Sequence, residues 1–202
     1  MAKYGKEYTI ELKKLTLGMS QLPGIELVLD KVGLKDKVSV QEYAAEYDAL
    51  LPELLPQCSL MKGAMRFVRH LAEHNIPRAI CTGSPDLECN IKLTNHKELR
   101  DLIPFIVRGS DPEIRRGKPA PDCFLVTMNR FEKKPESSRN VLVFEDSING
   151  TRAAISANMQ AIMIPDVRFT TPPKELIAQT RMILNSFDDF KPESVGLPAY
   201  KC

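Results

Sequence analysis

The sequence predicts an α/β fold in which helices cover both faces of a parallel sheet. From about residue 60 onward, short apolar runs of strand length alternate with stretches of helical periodicity, which is the pattern of successive βαβ units. The apolar runs are continuous rather than alternating, as expected for strands that are buried on both faces. Residues 1 to about 58 carry no strand signal and are predicted to form a smaller, separate helical part.

This N-terminal part is predicted to be helical because its apolar residues recur at roughly helical spacing. The recurring residues are Leu12, Leu15, Leu17, Ile25, Leu27, Val28, Leu29, Tyr43, Ala44, Tyr47, Leu50 and Leu51. Pro23-Gly24 and Gly33 are predicted to interrupt the helices. The stretch from Pro52 to Pro56 is predicted to end this part.

Helices and strands then alternate along the remaining sequence. The predicted helices span 63–74, about 86–102, 122–131, 149–158 and 174–179, and the predicted strands span 78–82, 105–107, 141–144, 161–164 and 182–184. In the first helix Phe67, Val68 and Leu71 share the predicted buried face, whereas His70 and His74 lie on the predicted solvent face. Because ligands of open parallel sheets collect at the carboxyl ends of the strands, the residues that end each strand are candidate site residues.

The first strand is followed by Thr82-Gly83-Ser84. A hydroxyl group and free backbone N–H groups at a strand end can hold a phosphate oxygen. An ordinary turn with Ser84 as a helix N-cap explains the same residues, so these three residues alone do not establish a phosphate site.

Lys118 follows the second strand within Gly117-Lys118-Pro119-Ala120-Pro121-Asp122. The flexible Gly117 and the rigid Pro119 on either side would fix the direction of the lysine side chain. An ammonium group held in this way can neutralise a phosphoryl group. The sequence is not a nucleotide-binding P-loop, because Pro119 stands where that motif requires Ser or Thr.

The third strand ends in two adjacent acids, Glu145 and Asp146. Neighbouring carboxylates repel each other unless a positive charge lies close to both. Carboxylate oxygens at a strand end suit Mg²⁺, which typically takes one or two carboxylates together with waters and phosphate. A helix N-terminus also favours acids, but this alternative explains Asp146 better than it explains the pair.

These three strand ends, in this order, resemble the haloacid dehalogenase superfamily. The resemblance is carried by Ile80-Cys81-Thr82, by residues 117–122, and by the run Val143-Phe144-Glu145-Asp146-Ser147-Ile148-Asn149-Gly150. More narrowly, residues 96–98, 109–113, 184–193 and 196–200 resemble the pseudouridine-5′-phosphatase branch. The implied fold is a Rossmann-like parallel sheet flanked by helices, with residues 1–58 as a small, truncated helical cap and residues 59–202 as the core.

The resemblance also implies the chemistry. Thr82 and Gly83 would bind phosphate, Lys118 would balance charge as a catalytic residue, and Asp146 with Glu145 would bind Mg²⁺. The implied reaction is hydrolysis of a small phosphomonoester, first of all a nucleoside 5′-monophosphate such as pseudouridine 5′-phosphate. The partner would be a small phosphorylated metabolite, and the protein is predicted to be a monomer.

The family's nucleophile belongs to an Asp-x-Asp motif at the end of the central first strand, and no Asp-x-Asp occurs in these 202 residues. We therefore expect a shortened chain that lacks the first strand, which would lie between the strand ending at Thr82 and the strand ending at Glu145. Its absence would leave two central edges unpaired or force them together. An alternative is a catalytically inactive form that binds a phosphorylated ligand or a partner.

Composition excludes several other classes of protein. The chain has 28 basic and 26 acidic residues, a net charge of +2, and no basic run of the kind that binds nucleic acid. No apolar run is long enough to span a membrane, and the five cysteines show no CxxC spacing. We therefore predict a cytoplasmic protein with reduced thiols.

Two other functions match parts of the sequence less well than the phosphatase does. His70-Leu71-Ala72-Glu73-His74 matches a zinc metalloprotease motif, but both histidines lie on the predicted solvent face and no third ligand is evident. A phosphoacceptor receiver domain also combines acids, a threonine and Lys-Pro. Its acids precede its lysine, whereas here Lys118 comes before Glu145.

Overall fold

The computed structural model describes residues 1–201 and contains two parallel sheets. In one sheet β1 (Ile80–Cys81) pairs with β2 (Ile106–Val107), and in the other the order is β3 (Leu142–Glu145), β4 (Gln160–Met163) and β5 (Met182–Ile183). Each pairing is parallel. The predicted α/β class with parallel strands is therefore confirmed.

Helices surround these strands and form the N-terminal part of the chain. The α-helices are α1 (Ile10–Thr16), α2 (Gln21–Lys31), α3 (Val40–Leu54), α4 (Ala64–Glu73), α5 (Asp86–Leu93), α6 (Lys97–Leu102), α7 (Asp122–Arg130), α8 (Ile148–Ser156) and α9 (Lys174–Ile177). Short 3₁₀ helices span Ala2–Tyr4, Leu55–Gln57, Ser138–Asn140, Phe187–Asp189 and Pro192–Val195.

The N-terminal part is helical, as predicted, but Pro23-Gly24 does not interrupt it. Both residues lie inside α2, because proline is tolerated in the first turn of a helix, where its missing N–H leaves no bond unmade. Gly33 follows α2 with φ at +69°, a left-handed conformation that favours glycine. This part has its own core around Leu29. The domain boundary near residue 58 stays a prediction.

The helix predicted over 86–102 is in fact two helices, α5 and α6. In the break between them the Asn95 side chain donates a hydrogen bond to the Pro56 carbonyl at 2.8 Å, and a ring nitrogen of His96 lies 2.8 Å from the Cys58 carbonyl. These contacts attach the break to the segment that leaves the N-terminal part. They depend on the tertiary fold, so the local pattern could not reveal them.

Each sheet has an edge without a partner, in the described residues, on the side where the predicted first strand would lie. β1 pairs only with β2, and β3 pairs only with β4. These two edges belong to the strands that end next to Thr82 and at Glu145, as expected if the central edges remain unpaired. Exposed strand edges are sites for pairing with other chains.

The main core packs aromatic and aliphatic side chains between the second sheet and the helices. Phe67 of α4 lies in ring contact with Phe144 and Phe190, with ring centroids 4.8 and 5.1 Å apart. The prediction that His70 faces solvent is wrong: it is 5% exposed, and a ring nitrogen lies 2.8 Å from the Pro198 carbonyl. The C-terminal segment covers this side of α4.

Within residues 1–201, no helix combines the length and the apolar character that a membrane crossing requires.

Candidate functional site at the strand ends

The five predicted site residues line one cavity of about 1110 Å³. Thr82 and Gly83 follow β1, Glu145 ends β3, and Asp146 follows it. Lys118 reaches the same cavity from the loop before α7. The carboxyl ends of the parallel strands and the loop before α7 therefore bring these residues together, and the roles assigned to them stay predictions.

Lys118 and Glu145 form a buried ion pair in the wall of this cavity. Their side chains are 6% and 8% exposed, and the lysine Nζ lies 3.4 Å from the carbonyl oxygen of Cys81. Burial by itself would lower the pKa of Lys118, but the adjacent Glu145 carboxylate outweighs it and holds the pKa above its ordinary value. Lys118 is therefore a fixed positive charge at neutral pH.

The turn after β3 holds the Glu145 carboxylate on its other side. The Ser147 hydroxyl donates to Glu145 Oε2 at 3.2 Å and accepts a hydrogen bond from the Gly150 N–H at 2.9 Å as the N-cap of α8. A Cβ atom at Gly150 would lie 1.9 Å from Glu145 Oε2, so glycine makes room for this carboxylate. Both oxygens of Glu145 are thus engaged, whereas Asp146 is exposed.

The Thr82-Gly83-Ser84 turn is held against the loop that follows β2. The Ser84 N–H donates to Thr82 Oγ1 at 3.1 Å, and the Gly109 N–H donates to the Ser84 carbonyl at 2.9 Å. A Cβ atom at Gly109 would lie 2.1 Å from the Gly83 carbonyl oxygen. The N-cap of α5 is Pro85, so the interpretation of Ser84 as a helix N-cap is wrong.

Sequence reasoning missed a segment of the N-terminal part that borders the cavity. The Asn149 side chain donates to the Leu17 carbonyl at 2.9 Å. A Cβ atom at Gly18 would lie 2.2 Å from Ser147 Oγ, so the backbone passes close to the turn after β3. Gly18, with φ at +78° after a helical run, is the one signal that could have marked this turn.

Sequence reasoning also missed Glu88 and Lys92 of α5, which line the cavity beside Ser84. An acid and a base four residues apart on a helix commonly pair. This spacing could have found the pair, although it could not have placed it at the cavity.

The donors at the strand ends fit a hard cation that needs few protein ligands. Asp146 offers an exposed carboxylate at the cavity wall, and Mg²⁺ is commonly bound through one or two carboxylates with waters and phosphate. In residues 1–201, no group of three or more His, Cys, Asp or Glu residues is arranged to hold a metal ion.

Comparison with known proteins identifies relatives over most or all of the chain. The family model for haloacid dehalogenase-like hydrolases matches residues 6–158. The chain is 39% identical to (DL)-glycerol-3-phosphatase 1, mitochondrial, of Arabidopsis thaliana over 201 residues, which are 100% of this chain and 66% of that protein. It is 40% identical to the probable pseudouridine-5′-phosphatase of Drosophila melanogaster, over 98% of this chain and 83% of that protein.

A solved structure shares the fold. It is CbbY from Rhodobacter sphaeroides in complex with phosphate, which matches with a TM-score of 0.72 and 20% sequence identity, over 93% of this chain and 84% of that chain. At this level of identity the match supports the predicted arrangement of helices and parallel strands alone.

Proposed function

Because the chain belongs to the haloacid dehalogenase-like hydrolases, we propose that its cavity binds a small phosphomonoester and serves Mg²⁺-dependent hydrolysis of that ester. One observation carries the proposal: Thr82, Lys118 and Asp146, from three separate segments, line the same cavity. A hydroxyl, an ammonium group and a free carboxylate in one place match the needs of a phosphate group and a divalent cation.

Thr82 and Gly83 are the proposed phosphate-binding residues. The turn after β1 offers the Thr82 hydroxyl and the Gly83 N–H at the end of a strand, where they can donate to phosphate oxygens. The N–H groups of Thr82 and Ser84 already donate to the Val107 carbonyl and to Thr82 Oγ1. Lys118 is the proposed catalytic cation, because its charge lies in a buried setting where electrostatic attraction to a developing negative charge is strong.

Asp146 and Glu145 are the proposed metal-binding residues, and the two have different roles. Asp146 is the exposed carboxylate and would contact Mg²⁺ directly. Glu145 is held by Lys118 and Ser147 and would add negative charge behind the ion while it orients the lysine. When bound, the ion would neutralise charge on the phosphoryl group.

The proposed substrate is a nucleoside 5′-monophosphate such as pseudouridine 5′-phosphate. The relatives are named as phosphatases of glycerol 3-phosphate and, in the fly, as a probable phosphatase of pseudouridine 5′-phosphate. The cavity extends from the strand ends to apolar side chains of α3, including Tyr47 and Leu50. It therefore has space for an organic group beyond the phosphate.

The second candidate function is binding of a phosphorylated ligand without turnover. Its support is that no Asp-x-Asp occurs in the 202 residues and that the buried acid at the strand end, Glu145, is already paired with Lys118. A carboxylate engaged in an ion pair is a poor nucleophile, because its attack would require the pair to break.

Phosphate release measured with purified chain and Mg²⁺ separates the two functions. Turnover that stops when the metal is chelated, and that is lost in Asp146→Asn, supports hydrolysis. Binding of inorganic phosphate without turnover, followed by calorimetry, supports the binding function. Asp36→Asn, which changes an exposed aspartate outside the cavity lining, is the matched control, and absence of both turnover and phosphate binding would refute both functions.

A further inference from the structure

We propose that Ser84, Glu88 and Lys92 form a subsite for the hydroxyl groups of the ester's organic part, and that the chain therefore selects phosphate esters whose organic part carries neutral hydroxyl groups, as the ribose of a nucleoside 5′-monophosphate does. This inference rests on the proposed function, because it assumes that the phosphate group lies at Thr82 and Lys118. It assigns a role to three residues beyond the strand-end site.

The three side chains meet at a single point. The Ser84 hydroxyl donates to Glu88 Oε1 at 2.8 Å, and the Lys92 ammonium donates to the same hydroxyl oxygen at 3.0 Å. Lys92 also forms an ion pair with Glu88 Oε1. Glu88 is 8% exposed, so its charge lies in the protein wall rather than in bulk solvent.

The cluster lies directly beside the proposed phosphate position. Ser84 is the residue after Gly83, and its N–H donates to the Thr82 hydroxyl oxygen at 3.1 Å. All three members of the cluster line the cavity. A phosphate held by Thr82 and Gly83 would thus place the first carbons of its ester within reach of Ser84 and Lys92.

The cluster still has hydrogen-bonding capacity for a ligand. Among residues 1–201, every hydrogen bond and ion pair of Glu88 uses Oε1, which leaves Oε2 able to accept from a hydroxyl group. Lys92 has three N–H donors. A hydroxyl group both donates and accepts, so it can satisfy the acid and the ammonium together.

The charge of the cluster favours a neutral ligand group over a second phosphate. The Glu88 carboxylate cancels the Lys92 charge, and no other Lys or Arg of α5 is present to attract an anion. Burial, and to a smaller extent the negative charge of Glu88, raises the pKa of Tyr47 to about 12. The phenol therefore stays neutral and can donate a hydrogen bond to the ligand. Beyond Tyr47 the wall is apolar, with Leu50 and Leu54.

The inference is tested with four probes in the presence of Mg²⁺: inorganic phosphate, n-propyl phosphate, glycerol 3-phosphate and ribose 5-phosphate. Calorimetry gives the affinity for a probe that is not turned over, and kcat/KM replaces the affinity for an ester that is hydrolysed. Propyl and glycerol phosphates differ only in two hydroxyl groups. We expect the hydroxylated esters to bind about tenfold tighter than propyl phosphate, since hydrogen bonds to charged groups are the stronger ones. In Glu88→Gln the ratio of the affinities for the hydroxylated esters and for propyl phosphate falls to near one, while the affinity for propyl phosphate itself is unchanged.

Lys92→Met is the second variant, because the lysine side chain is 39% exposed and its replacement leaves the Ser84–Glu88 hydrogen bond in place. Glu98→Gln, in an exposed ion pair with Arg69, is the matched control and keeps the wild-type preference. Both cluster variants lose selectivity if the inference is right.

The outcomes separate this inference from the proposed function. Equal affinity of the wild-type chain for propyl and glycerol phosphates overturns the subsite and leaves the phosphate site standing. Failure of all four probes to bind overturns both. If Glu88→Gln loses affinity equally for all four probes and unfolds at a lower temperature, the cluster only anchors the turn and the subsite is overturned.

Discussion

The Lys118 ammonium and the Glu145 carboxylate are joined as an ion pair whose side chains are 6% and 8% exposed. The pair joins the loop before α7 to the end of β3. It neutralises one of the two adjacent acids, so that Asp146 alone is left exposed at the cavity. The two neighbouring carboxylates thus have different environments, which the sequence could not distinguish.

Replacement of Lys118 by methionine should strongly destabilise the fold. The change leaves the Glu145 charge buried without its partner, and breaking a buried pair in this way typically costs about 3–5 kcal/mol. The free energy of unfolding from urea titration measures the loss. The double variant Lys118→Met/Glu145→Gln should recover part of it, and a double variant no more stable than the single one would contradict the coupling.

Gly109→Ala should destabilise the turn that holds the proposed phosphate site. The added Cβ would lie 2.1 Å from the Gly83 carbonyl oxygen, and backbone cannot move aside as a flexible side chain can. We expect a loss of about 1–3 kcal/mol, the usual cost of overpacking, together with weaker phosphate binding.

Gly24→Ala is the matched control for this change. Gly24 lies inside α2, and its nearest contacts to an added Cβ are at 3.8 and 3.9 Å. Alanine there should be neutral or stabilising, because glycine costs up to about 1 kcal/mol relative to alanine within a helix. Equal destabilisation by both variants would show that the Gly83 contact is not the cause.

Hydrogen exchange should distinguish the two sheets. β4 lies between β3 and β5, and Ala161, Ile162 and Met163 are at most 1% exposed. The amides of β4 should exchange at least about tenfold more slowly than those of β1, a difference of about 1.4 kcal/mol in opening free energy. Uniform protection across both sheets, measured by mass spectrometry or NMR, would contradict the unpaired edges.

Cys81, which lines the cavity, should be more reactive than its buried neighbour Cys123. A hydrogen bond from Cys123, aided by the charge of Lys118, lowers the pKa of Cys81 below its ordinary value despite burial, whereas the pKa of Cys123 is raised. The thiolate is the reactive form, so between the lowered and the ordinary pKa Cys81 is alkylated faster than Cys123.

Iodoacetamide labelling followed by peptide mass mapping measures both rates. Exposed Cys58 serves as the internal reference for an accessible thiol. Under conditions in which urea titration shows the variant to be folded, Lys118→Met should slow labelling of Cys81, because it removes a charge that favours the thiolate. Faster labelling of Cys123 than of Cys81 in the folded chain would refute the assignment.

The sequence by itself determined the α/β class, the alternation of helices and strands after residue 60, and five of the residues that line the cavity at the strand ends. These follow from local patterns. A continuous apolar run predicts a buried strand, and polar residues directly after it mark the carboxyl end of that strand, where ligands of parallel sheets bind.

The tertiary structure alone decided how these residues interact. It showed that Lys118 pairs with Glu145 rather than standing free, that His70 is covered by the C-terminal segment, that 86–102 is broken into two helices, and that Glu88 and Lys92 reach the cavity. Each depends on contacts between segments far apart in the chain. Local periodicity carries no information about such contacts, because burial and charge pairing are set by what the fold places on the other side.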